Sequence, residues 1–302
     1  MILLSQTSPL QAISNHLFPG IELWIKRDDL LHPSVSGNKF RKLKYLLQDL
    51  APDTRLISMG GPWSNHLHAL AHAAHLTGLP CSGLVRGLRN PAAALTPTLQ
   101  DCAKLGMQLH FVSRDTYRQL RLQPQFWQTQ IEVDPQHSLW IPEGGMSRDA
   151  LRGVVELIDE LSFLPDTLIT ACGTGTTLAG LAAGMRGHGR VLGISAVQNA
   201  DFLSAQVSSL LQQAGYPAWN NIEIKTEFDH GGFGKVSPAL RDFCLRFESD
   251  YHIKIEPVYT GKMLYAVHQL ACSNFFQPGE RVIVVHTGGL QGKRGYPEFT
   301  KQ

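Results

Sequence analysis

Short apolar runs, each followed by a turn signal, recur along the chain and constrain its fold more than any other feature. The runs cover residues 56–59, 81–85, 109–112, 139–142, 168–172, 191–197 and 282–286. Between most of them lie segments with helical periodicity, such as residues 40–50, 64–76 and 151–161. Alternation of apolar strands with helices is typical of parallel sheets that are covered by helices on both faces. The sequence therefore predicts an α/β fold.

Size and charge limit the class of protein. The chain has 302 residues, of which 43% are apolar and 17% charged, so intrinsic disorder is excluded and two domains are expected. The 27 basic and 25 acidic residues leave a net charge of +2. Proteins that bind nucleic acid or anionic membranes usually carry a concentrated basic surface, and no apolar segment approaches the roughly 20 residues of a membrane span. We therefore expect no nucleic-acid or membrane partner.

The N-terminal segment and the cysteines favour a cytoplasmic location. Residues 1–18 contain no Lys or Arg, and their apolar run covers only residues 2–4, which is unlike a signal peptide. The five cysteines are odd in number and scattered, and none forms a CxxC pair. We therefore expect reduced thiols and neither zinc nor redox chemistry at these residues.

Lys39 stands out among four basic residues that lie within six positions. Helical phasing places it on the same arc as Phe40 and Leu43, whereas Arg41 and Lys42 fall elsewhere. Burial lowers the pKa of a lysine, and a neutral amine is what Schiff-base chemistry requires. A lysine that extends its amine to solvent from the start of a helix explains the same pattern. Both interpretations of Lys39 remain open on the phasing alone.

A glycine- and threonine-rich segment follows the apolar run at residues 168–172. Its residues are Gly173, Thr174, Gly175, Thr176 and Thr177. Backbone N–H groups, hydroxyls and the positive end of a helix are available to an anion in such a segment. Leu181 stands where a P-loop needs Lys, and Leu178 stands where the dinucleotide motif needs its third glycine. The segment predicts a site for a single phosphate monoester, with a helix cap as the structural alternative.

The segment GGPWSNH (60–66) joins a predicted strand to an alanine-rich helix. Ser64 or Asn65 can cap that helix. A cap does not account for the paired glycines and Trp63, which suggest that a carboxylate or a ring docks against exposed backbone.

Three histidines on the same helix offer an alternative chemistry. His68, His72 and His75 share one helical face, and such spacing can bind a metal. No carboxylate lies nearby in the sequence, and apolar residues fill the remaining arc. We therefore favour a polar outer stripe over a metal site, and we keep a metal-dependent hydrolase as a minor hypothesis.

Six segments taken together resemble one enzyme family. They are GNKFRKL (37–43), SNH (64–66), EGG (143–145), TGTTLAG (174–180), PVYTGK (257–262) and HTGG (286–289). In this order, and from about residue 5 onward, the chain resembles the 1-aminocyclopropane-1-carboxylate (ACC) deaminase and D-cysteine desulfhydrase family. These are pyridoxal-phosphate enzymes with the fold of the tryptophan synthase β chain.

The resemblance implies an α/β architecture with two open, twisted, mostly parallel sheets covered by helices. Residues 1–41 and 149–302 would form a large cofactor-binding domain, and residues 42–148 a smaller inserted domain. The active site would lie in the cleft between them. The family also suggests a homodimer.

The resemblance also implies roles for individual residues. Lys39 would bind pyridoxal 5'-phosphate as an imine, and Asn65 would contact the 3-hydroxyl of the cofactor. The phosphate would be held by Lys42 and by Thr174, Gly175, Thr176 and Thr177. A small amino acid substrate would lie against Ser64, Asn65 and His66, and the catalytic residues would be Lys39, Ser64 and Tyr259. Either Thr260 or Thr287 would face the pyridine nitrogen.

Departures from the family pattern bear on the substrate. The deaminases have Glu and Leu at the positions of Thr260 and Thr287. The D-cysteine desulfhydrases have threonines at both positions, as this chain does. Phe233 replaces a common Tyr, and Trp63 is bulkier than expected. A Glu beside the pyridine nitrogen would strengthen the electron sink, which cyclopropane ring opening needs more than loss of a β-thiolate does.

The sequence therefore predicts a pyridoxal-phosphate-dependent lyase that converts D-cysteine to pyruvate, ammonia and sulfide. Deamination of ACC is the alternative reaction. A non-catalytic protein that binds the cofactor or an amino acid is a hypothesis of another class.

Overall fold

The computed structural model describes residues 6–299, and in this part of the chain ten strands form two sheets. The strands are β1 (Leu10–Ala12), β2 (Ile21–Lys26), β3 (Arg55–Gly60), β4 (Cys81–Arg86), β5 (Gln108–Val112), β6 (Ser138–Ile141), β7 (Thr167–Cys172), β8 (Arg190–Ser195), β9 (Ile222–Lys225) and β10 (Glu280–Val285). The α-helices are α1 (Asn38–Lys44), α2 (Asn65–Thr77), α3 (Pro97–Lys104), α4 (Arg114–Leu122), α5 (Arg148–Asp159), α6 (Thr176–Met185), α7 (Phe202–Gln213), α8 (Pro238–Tyr251) and α9 (Thr260–Cys272).

The two sheets are almost entirely parallel. The larger has the strand order β1-β2-β10-β7-β8-β9, and the smaller has the order β5-β4-β3-β6. Only the β1–β2 pair is antiparallel among the described strands. The predicted α/β class with two mostly parallel sheets is confirmed, and each of the seven predicted apolar runs overlaps a strand.

The smaller sheet is formed by strands that lie between residues 55 and 141. The domain boundaries at residues 41/42 and 148/149 stay a prediction. The exclusion of a signal peptide depends partly on residues 1–5, which lie outside the described residues. No helix within residues 6–299 has both the length and the apolar character to cross a bilayer.

Each sheet is covered on both faces, which explains the continuous apolar character of its inner strands. In the large sheet, Ile169 and Val284 pack with α8 and α9 on one face, whereas Leu168 and Ile283 pack with α5, α6 and α7 on the other. The small sheet has one core with α1, α2 and α3 and a second with α4. The apolar side chains on both faces of each sheet are therefore buried in these cores.

Helix α1, which carries Lys39, is held by backbone contacts at its start and along its side. Gly37 precedes it at a φ of 60°, and a Cβ at this position would collide with the carbonyl oxygen of Thr287. Gly153 of α5 allows equally close approach, because a Cβ there would collide with the carbonyl oxygen of Arg41. The position of Lys39 is therefore fixed by both the end of β10 and the face of α5.

Two predictions for this helix were wrong. The helix ends at Lys44 instead of continuing to residue 50, and residues 45–49 form turns that end with Asp49 in the left-handed region. Arg41 and Lys42 are buried, with 3% and 2% exposure, although phasing placed them away from the apolar arc. The reason is that α1 packs between α2 and α5, so more than one of its faces is covered.

Candidate active site

Segments that follow four different strands meet around Lys39. The end of β10 touches the turn before α1, because the N–H of Asn38 donates to the carbonyl of Thr287 at 3.2 Å. The turn after β6 lies against the loop after β7, since a Cβ on Gly144 would come within 2.9 Å of the Thr174 methyl carbon. A Cβ on Gly289 would collide with the Asn65 side chain, which follows β3. Ligands of parallel α/β folds bind at this edge of the strands.

Lys39 and Lys42 place two amines at the centre of this arrangement. Each Nζ donates to the same acceptor, the carbonyl oxygen of Gly144, at 3.3 Å. Within residues 6–299 neither amine forms an ion pair with a carboxylate. Burial lowers the pKa of Lys39 to about 8, although Lys42 and Glu143 act to raise it. Burial and the neighbouring Lys39 hold the pKa of Lys42 well below its usual range.

A lysine with this pKa should react with aldehydes near neutral pH, because the neutral amine is the nucleophile. We expect the rate at which the cofactor-free protein forms its visible band with pyridoxal phosphate to rise with pH and to be half-maximal near pH 8. The measurement is the initial rate by stopped-flow absorbance at increasing pH. A rate that still rises tenfold per unit well above pH 9, as for a lysine of pKa about 10.4, would contradict the lowered value.

The predicted phosphate segment forms the start of α6. Gly175 precedes the helix at a φ of 71°, and the hydroxyl oxygens of Thr174 and Thr176 lie 3.2 Å apart. The Thr177 hydroxyl accepts a hydrogen bond from Asn38 Nδ2 at 2.9 Å, which ties the segment to α1. The first N–H groups of a helix have no partner within it, so they are free for an anion. The donors present suit a phosphate monoester.

Ser64, Asn65 and His66 begin α2 and have different environments. Ser64 caps the helix, because its hydroxyl accepts a hydrogen bond from the N–H of Leu67 at 3.1 Å. Asn65 Oδ1 accepts a hydrogen bond from Gln291 Nε2. His66 is buried with its Nε2 2.9 Å from the Ser58 hydroxyl, and its Nδ1 has no partner within the described residues. Of the two ring nitrogens of His66, Nδ1 is therefore the one left without a hydrogen bond among the described residues.

Burial holds the pKa of His66 well below its usual range, and the neighbouring Lys39 and Lys42 lower it further. The imidazole is therefore neutral near pH 7. Together with the two lysines, it gives the site three nitrogen groups whose pKa values lie below their usual ranges.

Tyr259 and the two threonines lie on the side of the large sheet. A Cβ on Gly173 would come within 3.2 Å of the Tyr259 ring, so this ring borders the phosphate segment. Burial raises the pKa of Tyr259 above its usual range. The Phe233 ring, which is 51% exposed, meets the Tyr259 ring edge-on with centroids 5.9 Å apart.

The hydroxyls of the two threonines differ in their hydrogen bonds. Thr260 is fully buried, and its hydroxyl lies 3.1 Å from Glu256 Oε1 and accepts from the N–H of Glu256. Thr287 is 7% exposed, and within residues 6–299 its hydroxyl has no hydrogen-bond partner. Thr287 is therefore the threonine whose hydroxyl is free to meet a ligand.

The sequence analysis missed Gln291 and the environment of Glu143. Glu143 accepts hydrogen bonds from the Tyr117 hydroxyl and from Arg121 Nε, both at 2.6 Å. No local motif marks these residues, because their partners lie far away in the sequence.

The metal hypothesis is not supported. His68 lies 3.4 Å from Asp101, and its ring is 4.6 Å from that of His72. Across residues 6–299, no three His, Cys, Asp or Glu side chains come together as a possible metal site.

Comparison with known proteins agrees with this geometry. The family model described as pyridoxal-phosphate dependent enzyme matches residues 5–288. The bifunctional D-cysteine desulfhydrase/1-aminocyclopropane-1-carboxylate deaminase, mitochondrial, of Arabidopsis thaliana is 28% identical over 90% of this chain and 73% of its own length. The D-cysteine desulfhydrase of Salmonella paratyphi A is 28% identical over 92% of this chain and 90% of its own. A solved structure of an ACC deaminase homologue is 26% identical with a TM-score of 0.85, covering 98% of this chain and 93% of that chain.

Proposed function

We infer the function from one premise: the chain belongs to the pyridoxal-phosphate-dependent enzyme family. We propose that it removes the α-proton and the β-thiolate of D-cysteine, and that addition of water then gives pyruvate, ammonia and hydrogen sulfide. Deamination of ACC is the alternative, because the Arabidopsis relative is described as bifunctional.

The residues of the site fit the cofactor. Lys39 and Lys42 share one carbonyl as their acceptor, so each amine has hydrogen-bonding capacity left for a carbonyl compound or an anion. Lys39 would hold the cofactor covalently, and Asn65 would donate to its ring oxygen. The phosphate would lie against Lys42 and the loop residues Thr174, Gly175, Thr176 and Thr177. When bound, pyridoxal phosphate supplies an electron sink for charge that develops at the substrate α-carbon.

Lys39 would also move the α-proton. A general base works best when its pKa lies near the working pH, and the pKa of the Lys39 amine is lowered to about 8. Gly144 orients the amine through its carbonyl. The substrate carboxylate would bind at the start of α2, where Ser64 and the backbone N–H groups of Asn65 and His66 lie. Tyr259, with its neutral hydroxyl, would close the side of the substrate site that lies opposite the start of α2.

The free hydroxyl of Thr287 is the observation that carries the choice of D-cysteine. We propose that it faces the pyridine nitrogen, because Thr260 is already bonded to Glu256. Glu256 itself accepts hydrogen bonds from the backbone N–H groups of Val258, Tyr259 and Thr260 and so caps α9. A neutral hydroxyl leaves the nitrogen less protonated than a carboxylate would. Elimination of a β-thiolate needs that protonation less than ring opening does.

The first test is to add D-cysteine to the purified holoenzyme. We expect the visible band to shift while pyruvate and sulfide appear in equal amounts, and we expect L-cysteine and ACC to give at least about tenfold lower kcat/KM, or about 1.4 kcal/mol less transition-state stabilisation. Ammonia from ACC with no pyruvate from D-cysteine would favour the deaminase. A band with no product from a panel of D- and L-amino acids would indicate a non-catalytic binding protein.

We also propose that the enzyme is a cytoplasmic homodimer with a large domain of residues 1–41 and 149–302 and a small domain of residues 42–148. The family resemblance supports the dimer and the domain division. The placement of the four strands of the small sheet between residues 55 and 141 also supports the division. The scattered thiols support a reducing compartment, and all five cysteines are free thiols in the structure.

A further inference from the structure

Gln291 connects Asn65 to an arginine through a chain of hydrogen bonds. It lies in a 3-10 helix, Leu290–Gly295, that follows β10. Its Nε2 donates to Asn65 Oδ1. Its Oε1 accepts from the Thr98 hydroxyl at 2.6 Å and from Arg294 Nη2 at 3.0 Å. Both polar atoms of the Gln291 side-chain amide are therefore hydrogen-bonded to other residues.

Arg294 fixes the direction of this chain of hydrogen bonds. A guanidinium can only donate hydrogen bonds, so the Gln291 atom that faces Arg294 has to be the oxygen and the opposite atom has to be the nitrogen. Arg294 is itself held by Asp101 Oδ2 at 2.7 Å and by the carbonyl of Gln291 at 3.2 Å. The otherwise ambiguous orientation of an amide is therefore decided for Gln291.

The orientation of Gln291 in turn determines the orientation of the Asn65 side-chain amide. Its Oδ1 faces Gln291, so its only remaining polar group is the donor Nδ2. That nitrogen lies against Gly289, where a Cβ would collide with it. Within residues 6–299 the Asn65 Nδ2 has no acceptor. The side-chain atom of Asn65 that is left for a ligand is therefore the donor Nδ2.

We propose that Gln291 is a positioning residue that keeps the Asn65 amide in the donor orientation towards the ring oxygen of the cofactor. This inference rests on the proposed function, because it takes Asn65 as the residue that contacts that oxygen. A donor at this position stabilises the ionised oxygen relative to the protonated one. The chain Arg294–Gln291–Asn65 thus sets the charge state in which the cofactor is held.

The groups on the far side of Gln291 from the cofactor keep their charge near neutral pH. Asp101 is paired with Arg294, and His68 lies 3.4 Å from Asp101. Burial lowers the pKa of His68 to about 4, and burial also lowers the pKa of His72. On the cofactor side lie Lys39, Lys42 and His66, as described above. A titration of the cofactor above pH 6 is therefore not disturbed by the histidines on the far side of Gln291.

The decisive variant is Gln291→Glu, which keeps the size of the side chain but makes it an acceptor only. Asn65 then has to turn its Nδ2 towards residue 291 and its oxygen towards the cofactor. We expect the visible band of the holoenzyme to titrate about one pH unit higher than in the wild type, because the ionised oxygen loses its donor. Gln291→Met, which is neutral and leaves Asn65 unfixed, should shift the midpoint in the same direction by a smaller amount.

Lys293→Met is the matched control for charge and for the local helix. Lys293 lies two residues from Gln291, and its Nζ pairs with Glu248 at 2.6 Å outside the chain of hydrogen bonds. We expect this variant to titrate as the wild type does. An equal shift in Lys293→Met would show that charge alone moves the midpoint, and this would overturn the positioning role.

The outcomes separate this inference from the proposed function. If the wild type forms its band and consumes D-cysteine, but Gln291→Glu and Gln291→Met titrate like the wild type, the positioning role is wrong and the function stands. If the wild type forms no band with pyridoxal phosphate, the proposed function itself is wrong. Midpoints in the order wild type, Gln291→Met, Gln291→Glu support the inference.

Discussion

Lys39→Ala is expected to abolish the visible band that the protein forms with pyridoxal phosphate and to lower D-cysteine turnover by at least about 10³- to 10⁴-fold. The loss of the proton-transferring amine alone costs a factor of about 10² to 10⁴, and the loss of covalent attachment adds to it. The measurement combines the absorption spectrum of the variant with steady-state assays of pyruvate and sulfide.

Lys42→Ala is the matched comparison, because the amines of Lys39 and Lys42 lie equally far from the Gly144 carbonyl oxygen. We expect Lys42→Ala to keep the band but to bind the cofactor more weakly, as a lost phosphate contact would. Lys44→Ala should behave as the wild type, since Lys44 pairs with Glu156 away from the site. A band that survives in Lys39→Ala and disappears in Lys42→Ala would make Lys42 the attachment residue.

The strands that the sequence reveals are those that carry a short apolar run, both the inner strands and the half-buried edge strands β5 and β6. Continuous apolar runs predicted β3 to β8 and β10, but the same criterion missed β1, β2 and β9. β1 has only three residues, and the residues of β9, at the sheet edge, are all half-buried. β2 alternates, with Glu22 exposed between buried neighbours. A strand that is very short, or whose apolar residues alternate with charged ones, therefore escapes a search for apolar runs.

The site was predictable where its chemistry is local in the sequence. The glycine turns after β3, β7 and β10 and the lysine at the start of α1 are each visible within a few residues. Gln291 and Asn65, by contrast, are 226 residues apart, and Arg41 and Glu160 are 119 residues apart. Helical phasing describes one helix by itself, so it treated Arg41 as a solvated residue. Only the packing of α5 against α1 shows that Arg41 is buried.

The largest effect on stability is expected at Arg41, which joins a buried network of charges. Its Nε donates to Asp28 Oδ2 at 2.7 Å and its Nη1 to Glu160 Oε1 at 2.8 Å, while Lys26 Nζ lies 2.6 Å from Glu160 Oε2. Asp28 and Lys26 are fully buried. Arg41→Met keeps much of the side-chain volume but leaves a buried carboxylate without its cation. We expect the free energy of unfolding to fall by about 3–5 kcal/mol.

Urea denaturation of the cofactor-free protein at pH 7 measures this effect without the contribution of ligand binding. Arg118→Met is the matched control, because Arg118 pairs with Asp115 on the surface and its side chain is 73% exposed. We expect that control to change stability by less than about 1 kcal/mol. Equal effects of the two substitutions would contradict a special role for the buried network.

The pH dependence of the Arg41→Met effect should show that charge, and not packing, is responsible. Burial alone would raise the pKa of Glu160, but hydrogen bonds and ion pairs with Arg41 and Lys26 bring it below its usual value. A carboxylate whose pKa is lower in the folded state stabilises the fold above its unfolded pKa of about 4.3, and this contribution disappears as the pH falls through the folded value. Arg41→Met lacks part of this contribution at pH 7. Its free energy of unfolding therefore falls less than that of the wild type as the pH is lowered. The difference in unfolding free energy between wild type and Arg41→Met should therefore shrink below about pH 4.5, whereas a difference that stays constant between pH 7 and pH 4 would assign the effect to lost packing.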